Sequence, residues 1–430
     1  MANGGGGLLS GIRVIEMSHI MAAPTCGLLL ADMGADVIKV ERLPHGDNIR
    51  NSGPFTDSES APFAVMNRNK RGVALDMKTD GATAVLGRLI EGADVFIENY
   101  RLGAMERYGV GYEEMAKANR GLVYCSISGF GGTGPYAERG GFDLVAQGMS
   151  GLMSITGEGP GRPPVKVGAP VTDITAGSLA ALGIVAALFK RVSTGRGQLI
   201  DTSLLEAGIM HTYWQSAIFM ASGERPTAMG SAHPLMAPYQ AFKTKDGWIT
   251  LGAANQGLWL KLVDLLGVPE IVEDPRFTGP NERRANLADL QEALIPIFET
   301  DTTDGWLAKL DAAGIPAGPV FDIPQMTSDE HVLAREMIEE VGTSRGGPMR
   351  VLGHPIKYSK NPAVIRRRAP QLGEHTREVL GEAGYTSDEI RELESTGAIG
   401  GSVPPVSPRE IGRPPRRGGR SCRSDPGPCR

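Results

Sequence analysis

Cysteine is scarce. Four residues in 430, Cys26, Cys125, Cys422 and Cys429, are too few and too scattered for a disulfide scaffold. The N-terminus, Met1-Ala-Asn-Gly-Gly-Gly-Gly, has no basic segment ahead of an apolar one, so no secretory signal is expected. No apolar run reaches the ~18–20 residues of a membrane span, so no membrane partner is expected. These absences predict a cytoplasmic protein. A net charge of −5 argues against a general nucleic-acid surface. The phosphate-cradling pattern G-x-x-x-x-G-K-[ST] is missing. The seven histidines show neither H-E-x-x-H nor close pairing, so no metal site is expected. Ser150, in Gly148-Met-Ser-Gly151, lacks the G-x-S-x-G frame of a hydrolase nucleophile. No repeat of fixed period is present.

Glycine, by contrast, is abundant. Its 58 residues approach twice the usual share of ~7%, with no collagen period. In a folded chain this implies many tight turns and backbone passing close to ligands or to other backbone. At 41% hydrophobic and 22% charged the chain reads as globular, and its length suggests two or three domains. Charge is unevenly placed. Residues 401–430 hold seven arginines against Glu410 and Asp425, with seven prolines and no Leu, Phe, Trp or Tyr. Such a segment buries too little to offset its ordering entropy, so 403–430 reads as a disordered, solvated basic tail.

The first 200 residues alternate strand and helix signals. Strands are expected at 12–17, 37–40, 73–75, 95–97, 122–127 and 198–202, with helices at 24–33, 82–90 and 174–191. Short links between them predict an α/β fold with a parallel sheet covered by helices. The 174–191 helix is apolar almost all round and is expected to be buried. The pattern changes near 206–240. A hairpin is expected at 239–251, an extended stretch at 349–359, and a capping box at Thr386-Ser-Asp-Glu389 opening a last helix.

Gly129-Phe-Gly131-Gly-Thr-Gly134 fits G-x-G-x-x-G after a strand. However, Pro135 and Gly140-Gly141 deny the helix that a dinucleotide pyrophosphate requires. Asp173 is the most informative acid, standing at the head of the long helix. Two readings are open: an N-cap accepting amide N–H bonds, or a nucleophilic or basic carboxylate kept ionised by the helix N-terminus. Lys39, Arg42, Lys70, Arg71, Lys78, Arg101 and Arg107 fall at strand ends or in the loops after strands, where open α/β sheets bind ligands. A multiply anionic ligand suits them; ordinary surface charge is the alternative.

Together these segments resemble the class III CoA-transferases, the family of formyl-CoA:oxalate and carnitine or bile-acid CoA-transferases. The stretches that carry the resemblance are Gly11-Ile-Arg-Val-Ile-Glu-Met17, Gly34-Ala-Asp-Val-Ile-Lys-Val-Glu-Arg42, Asn69-Lys-Arg71 with Leu75-Asp-Met-Lys78, and Glu98-Asn-Tyr100. Gly103-Ala-Met-Glu-Arg107, Gly141-Phe-Asp143, Asp173 with its helix, and Thr194-Gly-Arg-Gly-Gln198 follow in order. Gly314-Ile-Pro-Ala-Gly-Pro-Val320 and Leu372-Gly-Glu-His375 complete the set, which spans about 8–400.

The resemblance implies a Rossmann-like large domain built from 8–205 and 331–402, a linker at 206–224, and a smaller inserted α/β domain at 225–330. It also implies an interlocked homodimer. Activity would be transfer of CoA from an acyl-CoA thioester to a small carboxylic acid, with CoA as substrate and no tightly bound cofactor. By position, Asp173 would be the nucleophile, forming an aspartyl anhydride and then an aspartyl-CoA thioester. Ile20, Met21, Ala22, Arg42, Leu75, Lys78, Asn99, Tyr100, Arg101 and Arg107 would hold CoA, with the turn Gly140, Gly141, Phe142 and Asp143. Gly230 and His233 fall where the formyl-CoA branch has a glycine loop, and Met21 replaces its glutamine, so oxalate and formyl-CoA are disfavoured as substrates. An α-methylacyl-CoA racemase of the same fold is the alternative. Phe142 stands where racemases carry a histidine, which removes the proton-transfer partner.

Overall fold

The structure is a computed structural model and describes residues 7–400; the basic tail, with Cys422 and Cys429, lies outside the described residues. Six strands form the parallel part of the main sheet. They are β1 (Arg13–Met17), β2 (Asp36–Arg42), β3 (Arg71–Leu75), β4 (Val95–Glu98), β5 (Val123–Ser128) and β6 (Leu199–Ser203). Their spatial order is β3-β2-β1-β4-β5-β6, and Ile399–Gly400 adds antiparallel beside β3. Val14 of β1 lies opposite Val37 on one side and Val95 on the other, so every central residue is flanked by a neighbour.

Alternate residues of each strand point to opposite faces. Val14, Val37 and Val95 join one core with α1 (Ala22–Asp32) and its neighbours. Ile15, Ile38 and Phe96 join the other core with α2 (Asp80–Glu91). Burial on both faces explains the apolar runs read from the sequence. The crossover helices that follow are α3 (Asp143–Met149) and α4 (Val171–Thr194), and beyond β6 come α5 (Leu204–Met210) and α6 (Tyr213–Ser222). A third core gathers Phe242, Trp259, Phe298 and Trp306 beneath the antiparallel sheet β7 (Tyr239–Lys243), β8 (Trp248–Gly252) and β9 (Ala317–Pro319). In the stretch expected to be extended at 349–359, only Pro348–Leu352 is a strand, paired with Ile338–Gly342. The capping box at Thr386 is present, with both reciprocal bonds made.

Helix α4 corrects two expectations. Its apolar window has a mean hydropathy of 1.7, long enough by composition to cross a membrane, so the chain does contain such a segment. It is also not buried all round. Ala176, Gly177, Ala180, Ala181 and Ile184 are buried, whereas Leu182, Phe189 and Val192 are 66%, 81% and 87% exposed. Small residues form the stripe that lets α4 pack closely on α1, while the large side chains lie opposite, on a face nothing within the described residues covers. Hydropathy alone does not distinguish these two faces.

Candidate active site

Because the strands are parallel, the loops after β1, β2, β3, β4 and β5 all emerge at one sheet edge. That edge gathers Ile20, Met21 and Ala22 after β1, Arg42 at the end of β2, and Leu75 and Lys78 after β3. It also gathers Asn99, Tyr100, Arg101 and Arg107 after β4, and Gly140 to Asp143 after β5. Strand order reverses between β1 and β4, the switch point where open sheets leave a crevice. The two loops bordering that crevice are tied together. Asn99 accepts from the His19 N–H at 3.0 Å and donates to the His19 carbonyl at 2.9 Å. The Tyr100 ring stands edge-on to His19, centroids 5.1 Å apart.

Helix α4 begins at this edge, since the strand after it, β6, runs parallel to β5. Asp173 is in its first turn, half-buried. The N-cap reading of Asp173 fails. The cap position is Pro170, and the amide that needs a partner is served by Asp143. One Asp143 oxygen accepts from the Thr172 N–H at 3.0 Å and its hydroxyl at 2.8 Å; the other accepts from Gln147 at 2.7 Å. Asp173 is therefore left free of cap duty. Its environment is nevertheless not that of an exposed carboxylate. Burial, reinforced by the neighbouring Asp143 carboxylate, pushes its pKa up to about 6. Such a carboxylate is ionised at neutral pH yet more basic than an exposed one, which suits a nucleophile.

Glycine brings the two halves of the site into contact. A Cβ on Gly177 would strike the Ala22 carbonyl oxygen and would sit 2.8 Å from the Thr25 side chain. Gly177 is four residues after Asp173, hence on the same face of α4. The face bearing Asp173 thus packs directly against the start of α1. A Cβ on Gly129 would likewise come within 2.6 Å of the Gly141 Cα, so the turn after β5 folds flat against the strand end.

Of the seven basic residues expected to face a ligand, three do not. Lys39 and Lys70 are fully buried against Glu16, and Arg71 pairs with Asp36, Glu378 and Glu382 at the opposite end of its strand. Arg42, Lys78, Arg101 and Arg107 are exposed at the site edge, and among the described residues none forms an ion pair with a carboxylate. Arg101 approaches Gly140. Gly230 bonds Gly157, and His233 lies among Trp214 and Tyr239. A cavity of about 320 Å³ lined by His45, Arg50, Phe63 and Arg345 contains none of the expected CoA residues. The described residues hold no cluster fit for a metal ion. Sequence reading missed Asp47, a lone acid in a loop at a basic edge; its carboxylate bonds the Ile20 N–H.

Comparison with known proteins identifies the chemistry such an edge serves. The profile of CoA-transferase family III matches residues 9–376. A succinate–glutarate CoA-transferase of Agrobacterium fabrum is 39% identical over 386 residues, covering 87% of this chain and 95% of that one. A succinyl-CoA:mesaconate CoA-transferase of Haloarcula hispanica is 37% identical, covering 88% and 97%. The crystal structure of a CAIB/BAIF family protein from Brucella suis superposes with a TM-score of 0.78 at 39% identity, covering 88% of this chain and all of that one. A half-buried carboxylate with a raised pKa, at an edge of cations that have no carboxylate partner among the described residues, thus occurs in a chain that, by profile and by identity along most of its length, belongs to CoA-transferase family III.

Proposed function

We propose that this CoA-transferase exchanges CoA between dicarboxylic acids, with Asp173 as the nucleophile. One observation carries the reading: Asp173, with its pKa raised, opens on the sheet edge where four exposed cations have no carboxylate partner among the described residues. Guanidinium and ammonium groups at such an edge suit the phosphates of CoA, and the glycine turns leave room for its thiol arm. The named relatives act on succinate, glutarate and mesaconate, all dicarboxylic acids.

The steps balance as follows. A carboxylate oxygen of Asp173 attacks the donor thioester carbonyl, the C–S bond breaks, and CoA leaves as the thiolate. The mixed anhydride left on Asp173 is attacked at the aspartyl carbonyl by that thiolate, releasing the donor acid as carboxylate. The acceptor carboxylate then displaces CoA thiolate from aspartyl-CoA, and the thiolate attacks the acceptor acyl carbonyl to free Asp173. Holding the thiolate beside the anhydride keeps each attack intramolecular in effect, worth several kcal/mol of barrier, roughly 7–11 at best.

We read the strand order as Rossmann-like, with the segments before 206 and after 330 forming one unit and 225–330 a smaller one. We read the uncovered face of α4 as the place where a second copy threads through the first. The test is incubation with succinyl-CoA and, separately, glutarate, mesaconate, oxalate or a monocarboxylate, with new thioesters read by mass spectrometry. Borohydride or hydroxylamine should trap an adduct on Asp173. An adduct on another residue, or α-carbon deuterium exchange without any acceptor, would sink the reading.

A further inference from the structure

The turn between β1 and α1 is held in a conformation its sequence disfavours. Ile20 has φ 62, in the left-handed region, where a β-branched residue is a genuine outlier. Such a conformation persists only where its surroundings over-determine it. Three side chains do so. The Ile20 N–H donates to both Asp47 carboxylate oxygens, each at 3.1 Å. Asn99 brackets the peptide groups of His19. Lys39 donates to the Ser18 carbonyl at 3.2 Å.

Asp47 is itself anchored from below. Its second oxygen lies 3.2 Å from the Lys39 ammonium, whose other neighbours are Glu16 and Ser18. Glu16 also meets Lys70 at 2.7 Å, and Lys70 donates to the Pro24 carbonyl in the first turn of α1. Two carboxylates and two ammonium groups, all buried, therefore neutralise one another directly beneath the turn. This is an expensive construction to place under a surface loop unless the loop's shape matters. Helix α1 has no side-chain cap at Met21. Gly177 places that start against the helix bearing Asp173.

We propose that Asp47 is a positioning residue for the acyl-CoA substrate: backed by Lys39, it locks the left-handed turn at Ile20 and so fixes Met21 and Ala22 beside Asp173. The inference rests on the reading of residues 20–22 as CoA contacts, Ile20 through its backbone. Asp47 touches no reacting atom; it acts through the backbone of Ile20.

The experiment is steady-state kinetics on the full chain. Asp47→Asn keeps the shape but removes the charge that satisfies both Lys39 and the Ile20 N–H. KM for acyl-CoA should rise about tenfold or more, with kcat and the acceptor KM changed far less. Adding Ile20→Gly to Asp47→Asn should recover much of the loss, because glycine adopts the left-handed turn without a clamp. Should Asp47→Asn not fold, Asp47→Glu keeps the charge for Lys39 while displacing the carboxylate from Ile20, and the same split is expected. An unchanged acyl-CoA KM, or a double variant no better than Asp47→Asn, overturns the proposal. Arg101→Ala and Lys78→Ala separate the two readings. If they raise the acyl-CoA KM while the Asp47 variants do not, only the role of Asp47 fails. If none of the variants raises it, the CoA site itself is misplaced.

Discussion

Asp173 must carry charge where burial disfavours charge. With its pKa near 6 against an ordinary value close to 3.9, activity that needs the carboxylate should fall away below neutral pH. The expected kcat/KM profile has an acid limb with its midpoint near pH 6 and a plateau above it. An ordinary carboxylate would give no limb above pH 5. The same shift has a consequence for stability. A folded-state pKa above the unfolded one means that protonation favours folding. The stability this group supplies is complete below about pH 4 and lost as pH rises through about 6. Asp173→Asn should therefore melt higher than the parent at pH 8, with the margin closing as pH falls. A variant that melts lower at every pH would show that Asp173 is structural. The sequence marks Asp173 as the acid to watch but cannot decide between cap and nucleophile. The partner that excludes the cap, Asp143, lies on another helix 29 residues before Thr172, beyond the reach of local pattern.

At the scale of elements, the start of α4 depends on that contact from α3. Asp143→Ala removes the acceptor for the Thr172 N–H and hydroxyl, a loss of about 1 kcal/mol by comparison with ordinary caps. It also removes the like charge beside Asp173, so the acid limb of the pH profile should move to lower pH while the melting temperature falls. Thermal melts and a pH series measure both. A lowered melt with an unmoved limb would mean that the two carboxylates do not feel each other. The strands of the main sheet were legible because burial on both faces leaves continuous apolar runs with short spacers. The fate of the basic residues was not. A lysine at a strand end looks the same whether it faces solvent or turns inward, and Lys39 and Lys70 turn inward where Glu16, on β1, pairs with both. Phosphate-facing and buried lysines separate only once the strand order is known. Gly177 was similarly mute: its missing side chain matters because α1 happens to cross at that point.

For the whole molecule, the open question is what covers α4 and α6. Phe189, Val192, Tyr213, Trp214 and Met220 are each more than half exposed, an apolar burden that a single chain rarely leaves bare. A second copy meets the need with one symmetric contact, and threading the two chains through each other makes separation require partial unfolding. Size measurement by ultracentrifugation should give a dimer at micromolar concentration. Threading predicts something more specific. Tagged and untagged dimers mixed in native buffer should form no mixed dimers over days, whereas chains unfolded and refolded together should form them freely. Prompt exchange would leave the dimer but remove the threading, and a stable monomer would remove both. Replacing Phe189 and Val192 together by glutamate gives the complementary reading. Under the proposed threading, two charges buried at the interface without partners should abolish the dimer, and the variant should yield little soluble protein rather than an active monomer.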